Sequence, residues 1–238
     1  MSEVVRINKY IANAGVCSRR DADKLVEQGK VTVNGKIATC GMNVSGKDTV
    51  CVNGKAIKGR DNKVVLAFYK PVGITCTERD KFAEKTILEY VKYPVRVTYA
   101  GRLDKDSEGL ILLTNDGDLI QALMKGSNHH EKEYVVKVDR EITSQFLEKM
   151  SSGLYLKELD QTTRPCKVEQ VGKMTFKIVL TQGLNRQIRR MTKELGYNVT
   201  SLKRIRIEKI TIDGLKIGQY RELTEKEKEN LYETVGLR

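Results

Sequence analysis

The chain has 238 residues, 43 Lys and Arg against 31 Asp and Glu, and a formal net charge of +12. That length buries a substantial core and allows a small domain joined to a larger one, and no apolar run approaches the roughly 20 residues that span a bilayer. The charge points to a polyanionic partner, nucleic acid first, and the start Met1-Ser-Glu-Val-Val-Arg6 lacks a secretory profile, so a cytoplasmic protein without a membrane partner is expected.

Ile7, Tyr10, Ile11 and Ala14 share one helical face, and Gly15 stops the helix. Ser18 then caps a second helix in a Ser-x-x-Asp variant of the capping box, with Ala22, Leu25 and Val26 facing inward and Gly29 as its end. Val31 to Ala38 and Val50 to Ile57 are near repeats that set Asn34-Gly35 and Asn53-Gly54 between apolar residues, the signal for tight hairpins. Helix, helix and small sheet make a compact module over 1–62, with 57–63 as its charged linker. Residues 1–62 hold 11 Lys or Arg against 6 Asp or Glu. Arg6, Lys9, Arg19, Arg20 and Lys24 gather on the helical half, where they either neutralise phosphates of a folded RNA or merely solvate a helix face.

From Lys63 the pattern changes. Val64 to Tyr69, Leu110 to Leu113, Tyr134 to Val138 and Met174 to Leu180 read as strands, and strict strand–helix alternation is missing. The expected class over 63–238 is α+β with a mixed, largely antiparallel sheet. Asp104 sits in a charged turn flanked by Gly101 and Gly109, just ahead of the apolar run 110–113 and its closing turn Asn115-Asp116-Gly117. A polar turn held against a buried strand is a platform for a working carboxylate; the plain alternative is that Asp104, Asp106 and Glu108 solvate the turn. Tyr134 places a hydroxyl at the start of a strand, read here as the edge of the sheet, where a lone Tyr more often packs than reacts. His129 and His130 read as loop histidines without a metal or triad pattern.

Leu184 to Arg206 carries seven Lys or Arg against the single acid Glu194. Asn185 is the expected cap of a helix with the stripe Ile188, Met191 and Leu195, which leaves Arg186, Arg190 and Lys193 free to face a ligand. Arg189, beside the stripe, needs a carboxylate, and Asp104 is its expected partner. Cys17, Cys40, Cys51, Cys76 and Cys166 form no C-x-x-C pair, so neither zinc nor disulfides are expected, and the thiols are read as reduced and mostly buried.

Arg6 to Lys36, from Arg-Ile-Asn-Lys-Tyr to Val-Asn-Gly-Lys, resembles the S4 RNA-binding domain. Lys70-Pro-Val-Gly73, Gly101-Arg-Leu-Asp-Lys-Asp-Ser-Glu-Gly109, Glu131-Lys-Glu-Tyr134 and Gly183-Leu-Asn-Arg-Gln-Ile-Arg-Arg-Met191, in that order, resemble the ribosomal RNA pseudouridine synthases of the RsuA, RluB, RluE and RluF group, which also carry an S4 domain in front. The match spans essentially the whole chain. It looks most like the large-subunit branch of RluF in Asn128-x-His-Glu-Lys-Glu-Tyr134 and in 179–191.

That resemblance implies an S4 domain followed by a pseudouridine synthase domain, isomerising uridine in structured RNA with no cofactor and no metal. It makes Asp104 the nucleophile, attacking either the uracil ring or the ribose anomeric carbon, with Arg189 as its ion pair and Tyr134 stacking on the base and moving a proton at the sugar. Arg102 fills the stack vacated by a flipped-out uridine or grips the next phosphate, and Lys70 is a structural group near the site. RNA contact is assigned to Arg6, Lys9, Ser18, Arg19, Arg20 and Lys24 in front, and to Arg186, Arg190 and Lys193 behind. A monomer acting on 23S rRNA is expected, with small-subunit rRNA or tRNA as the alternatives. The rival readings are a non-catalytic S4-type ribosome-assembly factor and a magnesium nuclease built on Asp104, Asp106, Asp116 and Asp118. The chain ends at Arg238 without the long basic tail of some relatives, so a weaker electrostatic grip is expected.

Overall fold

A computed structural model describes residues 4–58, 62–77, 86–125 and 129–237. Met1 to Glu3 of the expected start, 59–61 of the expected linker, Asn128 of the matched motif and the terminal Arg238 lie outside the described residues. Two compact units are present: Met1–Val64 with Tyr93–Val97 and Asn115–Gly117, and Val65–Lys92 with Thr98–Thr114 and Asp118–Arg238.

In the first unit, helices α1 (Ile7–Asn13) and α2 (Arg19–Glu27) precede strands β1 (Val31–Val33), β2 (Lys36–Ile37), β3 (Val50–Val52) and β4 (Lys55–Ile57). Ser18 caps α2: its Oγ accepts from the Asp21 N–H at 3.2 Å and donates to the Asp21 carboxylate at 2.8 Å. The antiparallel sheet runs β2-β1-β3-β4. Asn34 and Gly35 have φ of 50° and 80°, and Asn53 and Gly54 of 49° and 76°, which is what a two-residue hairpin turn matched to strand twist requires. Ile7, Ile11, Ala22, Val26, Val31 and Val50 close the core between helices and sheet.

The second unit contains β5 (Val65–Lys70), β6 (Glu108–Thr114), α3 (Gly117–Met124), β7 (Lys132–Val138), α4 (Ser144–Ser152), β8 (Lys167–Gly172), β9 (Thr175–Leu180), α5 (Gln187–Glu194), β10 (Val199–Ile207), β11 (Tyr220–Glu222) and α6 (Glu225–Thr234). Its main sheet runs β8-β9-β7-β10-β6-β5-β11, and the short strands Thr98–Ala100 and Ile210–Thr211 pair with β6 and β10. Its strands pair antiparallel, except that β6 and β10 run parallel. The sheet is therefore mixed and largely antiparallel, and the class is α+β. Gly109 to Thr114 of β6 is buried throughout, because a central strand is covered on both faces; hence its unbroken apolar run.

Several local expectations change. Asn115-Asp116-Gly117 does not end in a turn but leads into α3, whose Leu119 and Leu123 are buried at helical spacing. β7 is an interior strand between β9 and β10, so Tyr134 is not at the sheet edge. Only Cys76 is buried; Cys17, Cys51 and Cys166 are half-buried, and Cys40 is exposed in the loop after β2, where a small module has too little core to cover it. No helix among the described residues is long and apolar enough to cross a membrane.

α6 is tied to the sheet by charge. The Glu227 carboxylate accepts two N–H bonds from Arg221 at 2.7 Å and one from the Thr224 backbone at 2.8 Å, completing a capping box. Those bonds, Arg221 first, pull its pKa from 4.5 to about 2. A carboxylate depressed by folding contributes stability above its unfolded pKa and loses it as pH falls through the folded one. Glu227→Gln is therefore expected to cost about 1–2 kcal/mol at pH 7 in urea unfolding. The gap to wild type should close as pH falls from 4.5 toward 2; a constant gap contradicts the assignment.

Candidate active site

One cavity of about 820 Å³ collects the chemistry of the second unit. It is walled by the 101–107 turn, the start of β7, the 161–164 segment, the 181–189 stretch and β10. Asp104, Arg102, Tyr134, Arg186 and Arg189 all line it.

Asp104 is half-buried in the turn before β6. The turn is fixed by three backbone donors: Ser107 N–H to the Asp104 carbonyl at 3.1 Å, Gly73 N–H to the Lys105 carbonyl at 2.8 Å, and Leu103 N–H to Cys76 Sγ at 3.5 Å. Two buried cations hold it from below. Lys70 Nζ donates to the carbonyls of Pro71 at 2.9 Å and Ser107 at 2.7 Å, while Arg204 Nε donates to Leu110 at 2.6 Å and its Nη1 to Arg102 at 3.5 Å. Burial pushes the Lys70 ammonium below its ordinary pKa, and Cys76, Asp104 and Asp106 oppose that shift.

Arg186, not Arg189, is the ion-pair partner of Asp104. Its Nη1 lies 3.4 Å from Asp104 Oδ2, while the guanidinium forks onto Asp106 at 3.2 and 2.8 Å. That fork pulls the Asp106 carboxyl down and pushes the Arg186 pKa up. Arg189 instead donates to the Asp106 carbonyl at 2.9 Å and Ser107 Oγ at 3.2 Å, with an ion-pair contact to Asp106 Oδ1 at 3.4 Å. The reason lies in the helix start. Arg186 itself is the N-cap of α5 in a left-handed conformation, φ 51°, and Asn185 is no cap: it accepts from Arg190 through its backbone and side-chain oxygens at 3.0 and 3.1 Å. Ile188 and Met191 form the buried stripe as expected, with Leu195 half-buried. Arg186, Arg190 and Lys193 are not free, because Glu158 ion-pairs with both Arg190 and Lys193.

Tyr134 is nearly buried, in register with Ile178 on one side and Arg204 on the other. Arg102 is exposed at the mouth of the cavity. In the first unit Arg6, Arg19, Arg20 and Lys24 are exposed and Lys9 is half-buried; the Ser18 hydroxyl, offered as an RNA contact, is engaged in its cap. Among the described residues no group of three or more His, Cys, Asp or Glu could hold a metal ion, and Asp116 of the nuclease reading is buried in an ion pair with Lys63.

Sequence reasoning missed three cavity residues. Arg204 was visible only as part of a basic run, yet it shares strand parity with buried Leu202, and that phase is the signal that it points inward. Lys132 donates to the His130 carbonyl at 3.1 Å, and burial, reinforced by Arg204 and opposed by Glu208, pushes its pKa down to about 8. His130 is buried, with Nδ1 2.9 Å from Glu208 Oε1, rather than loose in a polar loop.

Residues 64–194 match the family described as RNA pseudouridylate synthase, and residues 5–50 match the S4 domain. The chain is 46% identical over 233 residues to the dual-specificity RNA pseudouridine synthase RluF of Escherichia coli (strain K12), covering 97% of this chain and 79% of that protein. It is 39% identical over 234 residues to the ribosomal large subunit pseudouridine synthase B of Bacillus subtilis (strain 168), covering 95% of each. A crystal structure of a pseudouridylate synthase superposes with a TM-score of 0.71 at 29% identity, covering 95% of this chain and 99% of that one. The fold is thus that of an RNA-modifying isomerase. The chain belongs to the RNA pseudouridylate synthase family, with an S4 domain in front of the synthase domain.

Gly109 pairs with Arg204 across the parallel β6–β10 contact at φ 118°, and a β-carbon there would overlap the Arg204 backbone. Gly109→Ala is expected to destabilise the protein by about 1–3 kcal/mol in urea unfolding, and to lower turnover further by shifting the Asp104 turn. A variant as stable and active as wild type contradicts this close approach.

Proposed function

We propose that this enzyme converts a uridine of structured RNA, in the large-subunit 23S rRNA, to pseudouridine by nucleophilic catalysis from Asp104 on a flipped-out nucleotide. The division into an S4 domain over 1–62 and a synthase domain over 63–238 belongs to the same reading. The observation that carries it is the convergence of Asp104, Tyr134, Arg102 and the Arg186 guanidinium on one cavity. In the reaction the bond from uracil N1 to ribose C1′ breaks, the base turns, a bond from C5 to C1′ forms, and the proton that C5 gives to solvent is matched by one that N1 takes up. Substrate and product are isomers, so nothing is gained or lost overall.

Asp104 supplies the nucleophilic oxygen to the uracil ring or to C1′. Arg186 fixes that carboxylate, Arg189 holds the neighbouring backbone, and Tyr134 offers a ring face to the base and a hydroxyl toward the sugar. Arg102 at the mouth takes up the phosphate or the stack that the flipped base leaves, which offsets an extrusion cost on the order of a few kcal/mol. The target class is supported by the B. subtilis relative, a large-subunit synthase. Exposed Arg6, Arg19, Arg20 and Lys24 provide phosphate contacts for the S4 half.

Asp104→Asn is expected to keep RNA affinity within about twofold and to release no tritium from RNA labelled at uridine C5. Release at the wild-type rate removes the mechanism. Pseudouridine maps of total RNA from cells with and without the protein are expected to differ in 23S rRNA; a difference confined to 16S rRNA or tRNA overturns the target.

Lys132 gives a pH signature. Below about pH 8 it is an ammonium in the cavity, and above that value it is neutral. RNA affinity is therefore expected to weaken between pH 7 and 9, since a positive charge is lost. Lys132→Arg, charged throughout, should flatten that limb, and equal slopes in both proteins would place the titration elsewhere.

A further inference from the structure

Among the described residues five buried side-chain polar atoms have no hydrogen-bond partner, and four of them belong to residues lining the cavity: His130 Nε2, Gln182 Nε2, Arg189 Nε and Arg204 Nη2. Buried polar atoms are rarely left this way, so four at one cavity point to a ligand that completes them. Three are fixed donors, as the amide and guanidinium nitrogens carry hydrogens and accept nothing. His130 is different.

His130 Nδ1 lies 2.9 Å from Glu208 Oε1, the oxygen that also accepts the Glu131 N–H at 2.8 Å. A carboxylate only accepts, so Nδ1 carries a proton, and in the neutral ring with that tautomer Nε2 is a bare lone pair. The holder is itself constrained. Glu208 sits at φ 49°, an uncommon conformation for a non-glycine residue, and its N–H is tied to the Glu131 carbonyl at 3.0 Å. Lys132 grips the His130 carbonyl.

We infer that His130, oriented by Glu208, is a nucleotide-reading residue whose Nε2 accepts a hydrogen bond from the target uridine. This rests on the reading of the cavity as the uridine site. Within an RNA strand a uridine has two hydrogen-bond donors, uracil N3–H and the ribose 2′-hydroxyl, because its other hydroxyls are esterified. An acceptor on N3–H also favours uracil over cytosine, whose N3 carries a lone pair. The three fixed donors meet the acceptor-rich remainder of the nucleotide, its carbonyls and phosphate.

The alternative is that His130 and Glu208 only staple β7 to the turn after β10. Two variants of the full chain separate these roles. Asn at 130 keeps a donor where Nδ1 stands and has no atom at Nε2; Gln places a carboxamide oxygen near Nε2 and gives up the bond to Glu208. Single-turnover tritium release from total RNA of cells lacking the protein is the assay, with melting temperatures measured in parallel. His130→Asn is expected to melt like wild type and react about tenfold more slowly, whereas His130→Gln stays within about threefold of wild type. The reversed order, or equal rates in the two variants, overturns the inference.

Asp104→Asn in the same assay keeps the two readings apart. Tritium release from Asp104→Asn removes the proposed mechanism itself, whereas an inert Asp104→Asn beside equal 130 variants removes only the role of His130. A stem-loop carrying 3-methyluridine or 2′-deoxyuridine at the mapped position identifies the donor. The affinity that wild type loses to one of these changes is expected to be already lost in His130→Asn and still felt in His130→Gln. Coupling to neither change counts against the inference.

Discussion

The site depends on a pair of buried cations that have carbonyls for partners. Lys70 and Arg204 are almost completely excluded from water, and burying a charge is costly unless hydrogen bonds compensate it. Their donors reach Arg102, Ser107, Leu110 and Pro71, so three of the four contacts fall on the segment that carries Asp104. Hydrogen bonds to charged groups are worth about 1.5–3 kcal/mol each, enough to fix a turn that has no regular structure of its own. Gly109 belongs to the same device: Arg204 can lie under the turn only if β10 approaches β6 more closely than a β-carbon allows. The glycine, the buried arginine and the position of the carboxylate are one constraint seen at three residues.

The net charge of +12 is not spread evenly over this region. Asp106 gathers Arg186 and Arg189, Glu158 gathers Arg190 and Lys193, and Glu131 and Glu133 gather Arg206. Acidic residues thus set the direction of the basic ones before any RNA arrives. A guanidinium held this way loses less entropy on meeting a phosphate or a carbonyl than one that waves from the surface, which is the sense in which a site is preorganised. Such pairs also explain why a count of basic residues along α5 overstates how many are at liberty to bind.

What could be read from the sequence was local. The Ser18 cap, the two Asn-Gly hairpins, the buried run at 110–113 and the stripe of Ile188 and Met191 each depend on residues a few positions apart, and each appears in the structure. What could not be read depended on tertiary placement. Tyr134 reads as an edge residue because a strand does not announce its neighbours, and β10, which makes it interior, lies hidden in a run that reads only as basic. His130 looked like a loop residue because its partner Glu208 is 78 positions away. The family motifs carried Asp104, Tyr134 and Arg189 to one site by resemblance, but they did not say which arginine would touch the carboxylate.

That choice turns on the backbone of one residue. Had Asn185 capped α5, Arg186 would be the first helical residue with φ of about −60°, and its side chain would leave the backbone in a different direction. Instead Arg186 takes the left-handed cap, a conformation that costs a non-glycine residue on the order of 1–3 kcal/mol. The bidentate bond to Asp106 offsets that cost and uses it, because the same geometry brings Nη1 to Asp104. Asp106 thus acts on the Asp104 carboxylate through Arg186 by holding the strained cap in place. A sequence rule that prefers Asn over Arg at a helix cap fails here for a physical reason: the tertiary ion pair outweighs the local preference, and it does so where a carboxylate has to be aimed.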